Sequence, residues 1–296
     1  MLGSTRAFTT VKYPILQKLP WPRRFFGQSA LNGLGAFFVA LVIFLGLFGG
    51  ALAPYDTTKT NLKERFAPPS AQHWMGTDNF GRDIFSRVVA GASISLQVAL
   101  VVLSVSVFIG LLVGAVAGFF GGTTDEVLMR ITDLFVAFPA LVFAAAIATT
   151  LGRSLTNTMI ALSTVYWPWY ARLVRAQVLT IAHQEYITAA EAVGVPRWQI
   201  IFRHVLPNVI PLILVQVSLD IGYAILSTSS LSFLGLGAQP PSPEWGVMLT
   251  DAREFVREAW WYMTFPGLAL SLTVLGFNLL GDGLRDYLDP RLRGRI

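Results

Sequence analysis

No cysteine occurs anywhere in the 296 residues, which excludes disulfides, thiolate metal sites and a cysteine nucleophile. Histidine is nearly as scarce. His73, His183 and His204 lie far apart, and none has the i,i+4 spacing of a helical metal pair. Lys12, Lys18, Lys59 and Lys63 are the only lysines, and none follows a glycine. The phosphate-cradling pattern G-x-x-x-x-G-K-[ST] is therefore missing, as are G-x-S-x-G and H-E-x-x-H. The chain reads as no enzyme, with no cofactor or metal of its own. The energy for any work must come from a gradient or from another polypeptide.

Charge is also in short supply. Charged residues make up 13% of the chain, about half of the roughly 25% usual in soluble domains. Hydrophobic residues make up 54%, and the mean hydropathy is +0.58. A net charge of +5 raises the question of nucleic acid. The basic residues sit at the ends of apolar runs, where they act as topology determinants and lipid-headgroup contacts, so membrane lipid is the expected partner and nucleic acid is not.

About 20 helical residues cross the roughly 30 Å of a bilayer core. The uncharged runs predict an all-α, polytopic membrane protein with six transmembrane helices. They are Phe25–Tyr55, Val88–Thr124, Leu134–Gly152, Ser154–Ala171, a run from about Asn208 to Ser232, and Ala259–Gly281. The chain then divides into an N-terminal segment 1–29, a membrane domain 30–282 and a tail 283–296. Two long loops, 54–92 and 233–258, fall on one side, and the loop 182–208 falls on the other. Fourteen of the 22 lysines and arginines share the side that holds both termini, which places the termini and the 182–208 loop in the cytoplasm. Ala51–Pro54 resembles a signal-peptidase site, but the apolar run before it exceeds the roughly 7–15 residues of a signal core, so an uncleaved first helix is expected.

Several residues inside the spans stand out. Gly110, Gly114 and Gly118 form one stripe of the second helix, suited to close packing within the chain or against a partner. Glycine is common in membrane helices, which favours packing within the chain. Asp220 interrupts the fifth span, and an intramembrane acid marks a cavity, a paired helix or an ion path. Ser227 and Ser230 lie nearby as candidate pathway positions. Tyr166, Trp167, Trp169 and Tyr170 flank Pro168 and read as an interfacial anchor, with the proline as a kink.

The segment from Glu185 to Asn208, EYITAAEAVGVPRWQIIFRHVLPN, reads as two short helices. Residues 182–193 favour helix, Gly194 is placed to end it, and Pro196 follows. A second helix begins near Arg197. Trp198, Ile201, Phe202, Val205 and Leu206 form its amphipathic stripe, and Pro207 ends it. In the other long loop region, Thr77 or Asp78 is placed to cap a helix whose face of Phe80, Ile84 and Val88 suits the membrane surface. Pro240, Pro241 and Pro243 forbid regular helix in their own segment.

These stretches carry a resemblance. Ala189-Ala190, then Gly194, then Leu206-Pro207 resemble the EAA loop of ABC importer permeases, with Thr188 where the motif's first glutamate would stand and Glu191 just after the alanines. Arg203-His204-Val205-Leu206-Pro207 is similar to this loop in the dipeptide, oligopeptide and nickel branch. Residues 73–92 and 231–249 are similar to that branch's outer segments, most closely in the second permease of the pair. The resemblance implies a type I importer permease fold in the inner membrane of a prokaryote. It implies a second permease subunit, two cytoplasmic ATPase subunits that bind the ATP and magnesium, and an extracytoplasmic binding protein. Thr188, Ala189, Ala190, Glu191, Gly194, Arg203, His204, Leu206 and Pro207 would contact the ATPase. Peptides are the expected cargo, with nickel or oligosaccharide as alternatives. The rival reading is an ion-gradient transporter that uses Asp220.

Overall fold

A computed structural model describes residues 30–288, and within them the chain is helical, with no strand. The long helices are α1 (Ala30–Leu52), α2 (Ile84–Phe120), α5 (Leu155–Ala182), α8 (Leu206–Phe233) and α10 (Trp260–Leu288). The shorter ones are α3 (Gly122–Val136), α4 (Ala140–Leu151), α6 (Glu185–Ala192), α7 (Arg197–Ile200) and α9 (Trp245–Ala252). The expected N-terminal segment 1–29 and the end of the expected tail lie outside the described residues.

Among the described residues four helices are long and apolar enough to cross a membrane: α1, α2, α10 and a continuous stretch from Arg197 to Phe233. The expected third span, 134–152, is not one helix. α3 and α4 meet at 84°, and counting this bent pair as a span brings the total to five. Pro139 explains the break, because it disfavours helical backbone at Phe138 and cannot donate to the preceding turn. The expected fourth span, 154–171, continues as α5 to Ala182. Arg172 and Arg175 ended the apolar run without ending the helix. At 28 residues α5 is about 42 Å long, but its two arginines and four aromatics dilute its apolarity.

The glycine stripe packs within the chain. A methyl group at Gly110 would strike the Tyr170 Cβ and sit 2.9 Å from the Ala171 nitrogen. At Gly114 it would strike the Ala171 carbonyl, and at Gly118 it would lie 2.9 Å from the Val178 Cβ. The absent side chains are what let α2 and α5 form the molecule's most extensive helix pairing.

At one end the bundle is capped by residues 53–83 and 234–259. Here the surface helix expected around Phe80 does not form. Residues 73–83 make an irregular turn, and Asp78 spends its carboxylate locally, accepting from the Phe80 and Arg82 backbone N–H groups at 2.8 and 2.9 Å and from Arg82 Nε at 2.6 Å. The cap of α2 is Asp83, which accepts from the Ser86 N–H at 2.7 Å. Ile84 and Val88 are buried, not presented to lipid. Arg87 is fully buried and ties three segments together by donating to the carbonyls of Thr57 (2.8 Å), Pro241 (3.1 Å) and Ser242 (3.3 Å). Trp245 donates to the Val88 carbonyl at 3.0 Å, and Trp261 donates to that of Thr77 at 3.2 Å. Glu244 caps α9 and accepts from Ser229 at 2.8 Å. The proline segment 234–244 is irregular, as its composition dictates.

Candidate functional site

The end of the bundle opposite the cap carries the segment 185–208. α6 starts at Glu185, three residues after the expected start, because the chain turns at His183. It stops at Gly194, whose φ of +79° only glycine adopts without strain. The Gly194 N–H donates to the Glu191 carbonyl at 3.0 Å and the Val195 N–H to that of Ala190 at 3.1 Å, the paired bonds of a Schellman ending.

The second helix departs from expectation at Pro207. The proline does not break it. Residues Ile201–Val205 form a π-helical turn, and helix runs from Arg197 into α8. The wider turn sends the Leu206 N–H back to the Ile201 carbonyl, and Pro207 falls where its missing N–H is absorbed by the shift of register. The same shift splits the expected apolar stripe. Ile200, Ile201 and Val205 are buried together with Val178, Ile181 and Ile187, which fastens the segment to the bundle. Trp198 and Phe202 turn outward, 64% and 62% exposed, alongside Val193 at 79%.

Thr188, Ala189, Glu191 and Gly194 are exposed, and Ala190 is half-buried. A methyl group at Gly194 would meet nothing within 4 Å. Arg203 and Pro207 are exposed, whereas His204 and Leu206 are half-buried. The His204 ring lies 6.4 Å from that of Tyr186. These residues share one end of the molecule, where small residues and outward apolar side chains stand among the exposed charges of Glu191 and Arg203.

Between the helices lies a cavity of about 480 Å³, walled by α3, α5 and α8. Asp220 lines it. Its two carboxylate oxygens accept from the Tyr170 hydroxyl at 2.6 Å and from Gln216 at 3.0 Å. Tyr166 and Tyr223 stack at 5.7 Å beside it, and Trp169, Phe135 and Phe138 complete the aromatic wall. The aromatic run around Pro168 is therefore not an interfacial anchor: Trp167 and Tyr170 are buried, Tyr166 faces the cavity, and only Trp169 is strongly exposed. α5 passes through Pro168 without ending.

The three candidate pathway residues do not share one surface. Ser227 is buried behind Tyr166, whose hydroxyl donates to it at 2.8 Å. Ser230 returns its hydroxyl to the Leu226 carbonyl and lines a second cavity, of about 330 Å³, with Leu141 and Phe233. Sequence reasoning missed Tyr170 and Gln216 as partners of Asp220, and Tyr166 and Tyr223 as the stacked pair beside it. The available signal was helical spacing, since Gln216 lies four residues before Asp220 on α8.

Residues 110–294 match the family model described as binding-protein-dependent transport system inner membrane component. The chain belongs to this family. This permease is 45% identical to the probable D,D-dipeptide transport system permease of Escherichia coli (strain K12), over 94% of this chain and 92% of the relative. It is 45% identical to the dipeptide transport system permease of Alkalihalophilus pseudofirmus, over 93% and 91%. It is 40% identical to the nickel transport system permease of Escherichia coli (strain K12), over 88% and 94%. The permease is a multi-pass inner-membrane component of an ABC import system of the dipeptide and nickel branch. A family of binding-protein-dependent systems lends no support to an ion-gradient transporter built on Asp220.

Proposed function

We propose that the permease forms half of an ATP-driven import path for di- or oligopeptides and takes its driving motion from cytoplasmic ATPase subunits through residues 185–208. In this reading both termini are cytoplasmic, and a second permease supplies the other half of the path. A binding protein delivers substrate at the capped end. The chain hydrolyses nothing itself, and ATP and magnesium belong to the ATPases.

One observation carries the reading. The helix that bears Trp198 and Phe202 on the exposed end is continuous with the helix that bears Asp220 in the cavity. Twenty-two residues separate Trp198 from Asp220, about 33 Å of helix. A partner that shifts the exposed end shifts a cavity wall with it. Ala189, Gly194 and the outward aromatics give that partner close backbone approach and apolar contact.

The test is co-purification and transport with the full importer. Ala189→Trp adds bulk to an exposed helical position and touches no bundle contact. It should abolish ATPase co-purification and dipeptide uptake while leaving the thermal midpoint of the permease unchanged. Retained association and uptake in Ala189→Trp and in Gly194→Val would refute the coupling role. Uptake assays with dialanine, glutathione and nickel, run side by side, assign the cargo.

A further inference from the structure

Asp220 is an acid on a membrane-spanning helix, and no lysine or arginine pairs with it among the described residues. An unpaired charge in such a setting is costly unless something answers it. Tyr170 and Gln216 each donate one hydrogen bond to it, one per oxygen, so both oxygens are held as acceptors and neither partner brings a positive charge. Around it the cavity wall is aromatic: Tyr166, Trp169, Tyr170 and Tyr223, with Phe135 and Phe138. Aromatic faces attract cations, and do so more strongly when water is excluded. A carboxyl group with two donors in place, in a half-open cleft of about 480 Å³ with aromatic walls, matches a primary ammonium group on a small organic body.

A bare divalent cation fits less well. It wants several oxygen or nitrogen ligands. Among the described residues no three histidine, cysteine, aspartate or glutamate side chains gather to hold one.

We propose that this cavity is a subsite for the free α-ammonium group of a peptide in transit, held by Asp220 and the aromatic wall. The proposal rests on the peptide-import reading above. It deepens that reading by giving the permease its own selectivity for an unblocked N-terminus, separate from that of the binding protein.

The experiment uses the purified full importer, without binding protein, in lipid nanodiscs, and measures equilibrium binding of dialanine and of N-acetyl-dialanine. The wild-type complex should bind dialanine saturably and at least tenfold more tightly than the acetylated form. Butylamine should compete, and nickel ion should not. Asp220→Asn should bring the two peptides to equal affinity, Asp220→Glu should keep part of the preference, and Tyr223→Ala should weaken binding of dialanine alone. Equal wild-type binding of the two peptides overturns the subsite, whether or not any variant folds, as does discrimination that survives in Asp220→Asn. Competition by nickel but not by butylamine overturns it in favour of a metal site. ATP-driven uptake in proteoliposomes with binding protein present is measured in parallel. Uptake of dialanine with no ammonium preference in binding sinks the subsite and leaves the importer standing. Absence of dialanine uptake by an ATP-hydrolysing wild-type complex sinks the peptide reading itself.

Discussion

Replacing Gly110 by alanine links helix packing to the cavity in one perturbation. The new methyl group would strike the Tyr170 Cβ and lie 2.9 Å from both the Ala171 nitrogen and the Trp167 carbonyl. All three are backbone or Cβ atoms, so no flexible side chain can yield, and α5 itself must move. Overpacking of this kind costs about 1–3 kcal/mol. Alanine regains up to about 1 kcal/mol through its better helix propensity. With the full propensity gain the net loss is roughly 0–2 kcal/mol, and the backbone contacts at Gly110 put it toward the upper end. Gly33→Ala is the matched control, because a methyl group there meets nothing within 4 Å and only the propensity gain remains. The functional consequence follows from Tyr170, whose hydroxyl holds Asp220 at 2.6 Å. Displacing α5 lengthens that bond and alters the cavity wall. The assay is thermal unfolding of the detergent-solubilised permease for both variants, with substrate uptake by the reconstituted importer. Gly110→Ala should melt below wild type and transport more slowly, and Gly33→Ala should melt at or above wild type. A Gly110→Ala protein at least as stable as Gly33→Ala would refute the packing argument.

The pair of ionic contacts between α3 and α5 should differ in strength. Arg175 grips Asp125 with two bonds of 2.5 and 2.6 Å, whereas Arg172 reaches Asp133 with one at 2.6 Å in a more exposed setting. Double-mutant cycles on thermal stability should give about 1 kcal/mol for the first and close to zero for the second; the reverse order would contradict the geometry. Arg87→Leu removes a buried cation that joins residues 57, 241 and 242, and should cost about 1–3 kcal/mol by taking the donor from those carbonyls, while Asp78 keeps its bonds to Arg82. Limited proteolysis should then cut residues 54–83 and 234–259, and an unchanged digestion pattern would count against the tie. Burial raises the Asp251 carboxyl above its ordinary range, aided by Asp78 and opposed by Arg82 and Arg87. The folded form thus binds its proton more tightly than the unfolded form. Stability from this group is present at low pH and falls as pH rises from the ordinary carboxylate value through the raised one. Asp251→Asn should flatten that part of the stability profile, and a slope unchanged in the variant would remove Asp251 as its source.

Much of the bundle was legible because lipid imposes simple rules. Long uncharged runs became α1, α2, α8 and α10, and the stripe at Gly110, Gly114 and Gly118 became a helix seam. Gly194 was legible as a helix stop, since a positive φ is required there. The errors cluster where polar or proline residues sit in helical sequence. Arg172 and Arg175 looked like the end of a span, but their partners Asp125 and Asp133 lie on another helix, and single-chain pattern gives no sight of them. Pro139 and Pro207 have the same local chemistry and opposite outcomes. At Pro139 the chain turns through 84°, and at Pro207 a π-helical turn absorbs the defect. That choice is made by the packing of Ile200, Ile201 and Val205 against α5. The cavity residues were hidden for a related reason. Tyr166 and Tyr170 lie on α5 and Asp220 on α8, so their meeting depends on how those helices cross.

The π-helical turn gains a mechanical meaning from its position. A helix interrupted at Pro207 would act as a hinge, and motion of residues 185–205 would dissipate there. A continuous helix from Arg197 to Phe233 instead behaves as one lever of 37 residues, about 55 Å long. Its buried end is wedged against α2, α5 and α10, and its exposed end carries Trp198 and Phe202. Pro211, one turn beyond Pro207, leaves a second gap in the same ladder of bonds. Removing both prolines should therefore stiffen the lever without lengthening it. If motion of the exposed end drives the cavity, Pro207→Ala with Pro211→Ala should preserve ATPase association and leave uptake at or above the wild-type rate. Uptake lost with association intact would mean that bending at the prolines, and not rigid transmission, couples the two ends.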